Sequence, residues 1–65
     1  MWRVTYTGQR GACKPTRHPR KQETLEAAQG ACNRPGQGAQ VFDRKGRLRF
    51  DYWHDGQFQW QEIKP

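Results

Sequence analysis

The residues of this chain that could do chemistry are cations. Between Gly8 and Gln22 stand Arg10, Lys14, Arg17, Arg20 and Lys21, with no acid among them. A second group, Arg44, Lys45, Arg47 and Arg49, follows farther along the chain. Arginine outnumbers lysine eight to four. Its planar fork of donors meets phosphate or carboxylate oxygens two at a time. Trp53 follows the second group, and arginine beside an exposed aromatic ring is the chemistry of phosphate contact with base stacking. The 12 Lys and Arg outweigh the 6 Asp and Glu, for a formal net charge of +6. Such charge also serves solubility, but a loop without compensating acids is one-sided. An anionic partner is expected: DNA, RNA, a nucleoprotein or an acidic protein surface.

Other chemistry is poorly served. Cys13, His18, Cys32 and His54 match no zinc spacing, and no Cys-x-x-Cys knuckle exists. No third group orients a Cys13–His18 pair for nucleophilic work. We therefore expect no catalytic residue, no metal and no cofactor. Two readings of Cys13 and Cys32 stand side by side. One is a disulfide closing a loop of ~18 residues, a constraint of ~3 kcal/mol in the chain-entropy model. The other is a pair of reduced thiols, with Cys32 packed against a sheet and Cys13 free.

The size of the chain points the same way. Its 65 residues form one small domain. A domain of this size buries only ~60% of its unfolded surface. It can hardly enclose a pocket of ~300–1,000 Å³ and keep a core. Leu, Ile, Val and Phe make up about 12% of the residues, under the ~20% that accompanies disorder in charged chains. Eight aromatics offset this shortage, each able to bury ~150–250 Å². The core is expected to be built from rings. No stretch is apolar enough to cross a bilayer. Met1–Tyr6 shows no signal-peptide run, so a cytoplasmic location is expected.

The elements that must position these residues follow from period and punctuation. Trp2, Val4 and Tyr6 alternate with Arg3, Thr5 and Thr7, a strand with one apolar face. Residues 8–22 contain Pro15 and Pro19 and no large apolar residue, so they read as one long basic loop. Thr24 is the expected N-cap of a helix carrying Leu25, Ala28 and Cys32, stopped by Pro35-Gly36. That helix has no basic amphipathic face, which argues against a membrane surface. Strands are expected at 39–43, 47–53 and 57–63, joined by Asp43-Arg44-Lys45-Gly46 and His54-Asp55-Gly56. A three-residue last loop pairs Tyr52 with Phe58 and Phe50 with Trp60. It gathers Leu48, Phe50, Tyr52, Phe58 and Trp60 on one face, which we assign to the core. Arg47, Arg49 and Trp53 then lie on the opposite, polar face. The expected architecture is α+β, two layers, β-α-β-β-β, with one helix on a mainly antiparallel sheet of three to four strands.

The second half has a family look. Thr24-Leu25-Glu26-Ala27-Ala28, Ala39-Gln40-Val41-Phe42, Gly46-Arg47-Leu48, Tyr52 and Asp55-Gly56 before an aromatic strand ending near Trp60 cover about residues 24–61. This layout resembles small phage-encoded anti-CRISPR proteins that inhibit type I surveillance complexes, particularly a five-stranded, one-helix class. The basic loop at 8–22 is not part of that pattern. The resemblance implies binding to backbone Cas subunits or the crRNA-lined groove, which blocks target DNA. It also implies Lys and Arg contacts, of which Arg44, Lys45, Arg47 and Arg49 lie in the matching region.

The expectation is a non-enzymatic phage or mobile-element protein. Its partner face is Arg10, Lys14, Arg17, Arg20, Lys21, Arg44, Lys45, Arg47, Arg49 and Trp53. Direct binding of duplex DNA or RNA, and a structural role through docking or homodimerisation, are the competing readings.

Overall fold

A computed structural model describes residues 1–11 and 13–64. Strands β1 (Trp2–Thr7) and β2 (Thr16–His18) precede helix α1 (Lys21–Gly30). Strands β3 (Gly38–Phe42), β4 (Leu48–His54) and β5 (Phe58–Glu62) follow it. They form one antiparallel five-stranded sheet in the order β2-β1-β3-β4-β5. The α+β class, the single helix and the antiparallel sheet are as expected. The element order and the strand count are not.

The added strand lies inside the stretch read as a structureless loop. Thr16, Arg17 and His18 pair with Val4, Arg3 and Trp2. Pro15 and Pro19 bracket the strand, so it is confined to three residues at the sheet margin, where a missing N–H is tolerated. The Tyr6 hydroxyl and Thr16 Oγ1 lie 2.7 Å apart, and Thr16 Oγ1 is 2.9 Å from His18 Nε2.

The helix also starts earlier than expected. Arg20 is its N-cap in extended conformation, with no side-chain capping bond. Thr24 sits inside the helix, fully buried, and its hydroxyl donates back to the Arg20 carbonyl at 2.6 Å. Thr24, Ala28 and Cys32 recur every four residues as the buried stripe. The small side chains let the helix lie close over β2, β1 and β3. Beneath it Val4, Ala39 and Val41 are fully buried. Burying a valine side chain contributes ~1.5–3 kcal/mol. Trp2, Tyr6 and Leu25 pack at the core's rim.

The β4–β5 register differs from the expected one by two residues. His54 pairs with Phe58, Tyr52 with Trp60 and Phe50 with Glu62. The loop is again three residues long, Asp55-Gly56-Gln57. His54 pairs with Phe58 on one side of β4, and on the other its N–H donates to the Gln37 carbonyl at 3.0 Å and its carbonyl accepts from the Gly36 N–H at 2.9 Å. A slip of two keeps each side chain on its face, so Phe50, Tyr52, Phe58 and Trp60 do share one. The helix lies over β2, β1 and β3, however, and does not cover β5 at the sheet edge. Phe50 and Tyr52 are buried, whereas Phe58 and Trp60 remain 42% and 56% exposed. The assignment of all four rings to the core is therefore corrected for the last two. Leu48 is corrected as well: a register shift after Val41 pairs it with Phe42, and it is not part of the core.

Candidate anion-binding surface

One end of the sheet gathers the start of β1, the end of β2, the helix N-terminus and the β3–β4 turn. The turn is organised by Asp43. Its Oδ1 accepts the backbone N–H of Lys45 at 2.8 Å and of Arg47 at 3.0 Å. Gly46 donates to the Asp43 carbonyl at 3.0 Å and takes φ +80°, a conformation that favours glycine. Asp43 Oδ2 meets Arg49 Nη1 at 3.6 Å. The Arg47 N–H, joined by the Lys45 N–H and the Arg49 guanidinium, holds the Asp43 carboxyl below the ordinary carboxylate range.

Around this turn the two cationic stretches converge. On the helix side Arg20 and Lys21 share a basin of about 560 Å³ with Arg44, Lys45, Arg47 and Arg49. Trp2, Pro19 and Asp43 complete its walls. On the opposite side of the turn Arg3, Arg17 and Arg44 line a second basin of about 330 Å³ with Phe42 and Asp43. Asp43 is the one acid in either lining. Several cations are held in place. Lys21 Nζ lies 5.3 Å from the Phe50 ring centroid, and Arg3 Cζ lies 4.7 Å from that of Phe42, within the range of cation–π attraction. Arg49 Nε is buried without an acceptor among the described residues. Converging cations with little compensating acid make a local positive potential suited to several phosphates at once.

Seven of the expected partner residues meet here: Arg17, Arg20, Lys21, Arg44, Lys45, Arg47 and Arg49. Arg47 and Arg49 do not stand on the open polar face, because the register shift and the Asp43 turn draw them into the helix-side basin. Arg10 lies at the other end of the sheet, in a depression of about 490 Å³ with Arg34, Gln9 and Gln37. Lys14 is exposed and lines none of these basins. Trp53 is half-buried on the open face between Gly38 and Gln59, away from the cations. Its neighbours there are the polar row in which Thr5 donates to Gln40 at 3.0 Å and Gln40 to Asp51 at 3.5 Å.

Arg3 and Trp2 are additional basin residues. The alternation in β1 already put Arg3 on the face opposite Val4. The missing piece was β2, which sets Arg17 directly beside it. The cysteines follow the reduced reading: both are free, Cys13 exposed and Cys32 buried, and the disulfide is not formed. Burial, and secondarily the charge of Asp51, raises the Cys32 thiol above its ordinary pKa, so it stays protonated. Among the described residues no three His, Cys, Asp or Glu side chains cluster as metal ligands, and no helix is long and apolar enough to cross a membrane.

No protein-family model, curated protein or solved structure matches this chain.

Proposed function

We propose that the chain is a non-catalytic protein that binds a nucleic-acid or nucleoprotein surface through its cationic pole. The observation that carries this reading is the convergence of Arg20 and Lys21 with Arg44, Lys45, Arg47 and Arg49 around one basin. Cations spread for solubility would not be drawn together from two distant segments onto one end of the sheet. In its most concrete form the proposal is an inhibitor of a type I CRISPR surveillance complex that denies target DNA its binding groove. Five strands and one helix are also the element count of the class the sequence resembles. That architecture is too widespread to carry the assignment, which rests on the cations.

Two measurements test it. The purified chain is titrated onto labelled duplex and single-stranded oligonucleotides at several salt concentrations, and is mixed with purified type I complexes before size exclusion. Engagement of about four phosphates predicts log–log salt slopes of roughly −3 to −4. The inhibitor form predicts co-elution with a surveillance complex and loss of its target-DNA binding. Absence of both a low-salt shift and co-elution across a broad panel of complexes would falsify the reading. A shift without co-elution would retain nucleic-acid binding and remove the inhibitor form.

A further inference from the structure

We infer that Phe58 and Trp60 form a stacking shelf through which the cationic pole takes a single strand of nucleic acid in preference to a duplex. The inference rests on the nucleic-acid reading above and narrows its substrate class.

The exposed large apolar residues of the described chain are Met1, Phe58 and Trp60. Two of the three stand on one strand and one face. They are not isolated from the cations. Trp60 lies 6.5 Å from Tyr52 between ring centroids, and Phe58 lies 5.7 Å from it. Tyr52 is 6.3 Å from Phe50, whose ring is capped by Lys21 Nζ. Lys21 in turn lines the helix-side basin. An unbroken run of side chains therefore leads from the phosphate-binding cations to two open rings.

Helix α1 leaves this half of the face uncovered. It lies over β2, β1 and β3, and Lys21 and Gln29 reach out from it only as far as Phe50 and the Tyr52 hydroxyl. Glu62 pairs with Phe50 and shares the row of Trp60. Its exposed carboxylate is a negative charge at that end of the shelf and opposes a strand's phosphates there.

Base accessibility selects the single strand. Bases inside a duplex have both faces covered by their neighbours. Only an unpaired strand offers free base faces to the two exposed rings, and stacking on aromatic side chains tolerates any base.

The test uses the full chain with labelled oligo(dT) and oligo(U), and a duplex of equal length, read by fluorescence anisotropy and by quenching of tryptophan emission. Trp60→Leu and Phe58→Leu remove a ring but keep apolar bulk, and circular dichroism checks their folding. The expected result is single-strand binding of either oligomer that weakens about tenfold in each variant, with duplex binding unchanged. If Trp60→Leu does not fold, Trp60→Phe decides: it should keep binding and lose most of the quenching. Unchanged single-strand affinity in both Leu variants, with weakened binding in Arg20→Ala and Arg47→Ala, overturns the shelf and leaves the basin reading standing. A native dimer that dissociates in Trp60→Leu without any change in oligomer binding also overturns it, since the rings would then serve a second copy of the chain. No binding of any oligonucleotide by the unaltered chain overturns the shelf and leaves the cationic pole only the nucleoprotein partner that co-elution tests.

Discussion

Asp43 and Arg49 face each other across the base of the β3–β4 turn, Nη1 3.6 Å from Oδ2, while the other carboxylate oxygen holds the backbone N–H groups of Lys45 and Arg47. One acid thus shapes the turn that displays the cations and neutralises part of their charge. These two roles separate on substitution. Asp43→Asn keeps an acceptor for the turn and removes the charge. Its affinity for a labelled oligonucleotide should rise roughly two- to fivefold, with the native circular dichroism retained. Asp43→Ala removes both roles and should lower the Tm.

The same carboxylate gives a pH dependence. Its folded pKa lies below the unfolded one, chiefly because of the Arg47 N–H. Its contribution is therefore present above the unfolded pKa of about 4 and fades as pH falls through the folded pKa. The wild-type Tm should drop on acidification below about pH 4, and the drop should be smaller in Asp43→Asn. Equal drops in the two proteins would show that other carboxylates carry the acid response.

Individual cations divide by place. Each of Arg20→Ala and Arg47→Ala should reduce the magnitude of the log–log salt slope of oligonucleotide binding by about 0.7–0.9. Arg10→Ala and Lys14→Ala should leave it unchanged, since neither residue lines the helix-side basin. A uniform effect of all four would mean that net charge, not position, governs binding.

Two glycines with positive φ should respond unequally to alanine. Gly8 has φ +67°, and a Cβ there would overlap the Gly36 carbonyl. Gly46 has φ +80° and open space around it. Gly46→Ala should cost about 1–2 kcal/mol from backbone conformation alone. Gly8→Ala must also push β1 away from the Pro35-Gly36 loop, so it should cost more than that by urea denaturation. Equal losses would show that the loop gives way freely.

Alkylation separates the thiols. Under native conditions iodoacetamide should modify the exposed Cys13 quickly and the buried Cys32 only after denaturant is added, with the two adducts counted by mass spectrometry. Rapid double modification of the folded chain would contradict the burial of Cys32.

Much of the fold was legible because the period-two pattern survives in β1, β3 and β4, where one face is buried and the other wet. Thr16-Arg17-His18 carries no such pattern, because a three-residue marginal strand between two prolines buries no large apolar side chain. The helix start was displaced because Thr24 has the chemistry of a cap, while the true cap, Arg20, makes no side-chain bond at all. The β4–β5 slip was invisible to a face argument, since registers two apart give identical faces. What the face argument could not show is that His54 is still strand and pairs with Phe58, which moves the loop to Asp55-Gly56-Gln57. For the site, both charge clusters were plain in the residues themselves. Their meeting was not, because it depends on β2 and the early helix start, which carry Arg17, Arg20 and Lys21 to the Asp43 turn. Arg10 stays at the far end because it lies in the connection from the end of β1 to β2.

The strand order also bears on how quickly this chain can reach its native state. Strands β3, β4 and β5 form a meander whose contacts are local, so they can assemble early. The centre of the sheet cannot, because β1 lies between β2 and β3 and pairs Val4 with Val41. Most of the chain must be looped before that pairing forms, and closing such a loop costs entropy before any contact repays it. The pairing of β1 with β3 is thus the strand contact of widest sequence separation in the sheet, and the one that sets the chain's contact order. Without it the stripe of Thr24, Ala28 and Cys32 lacks the Val4 side of its bed.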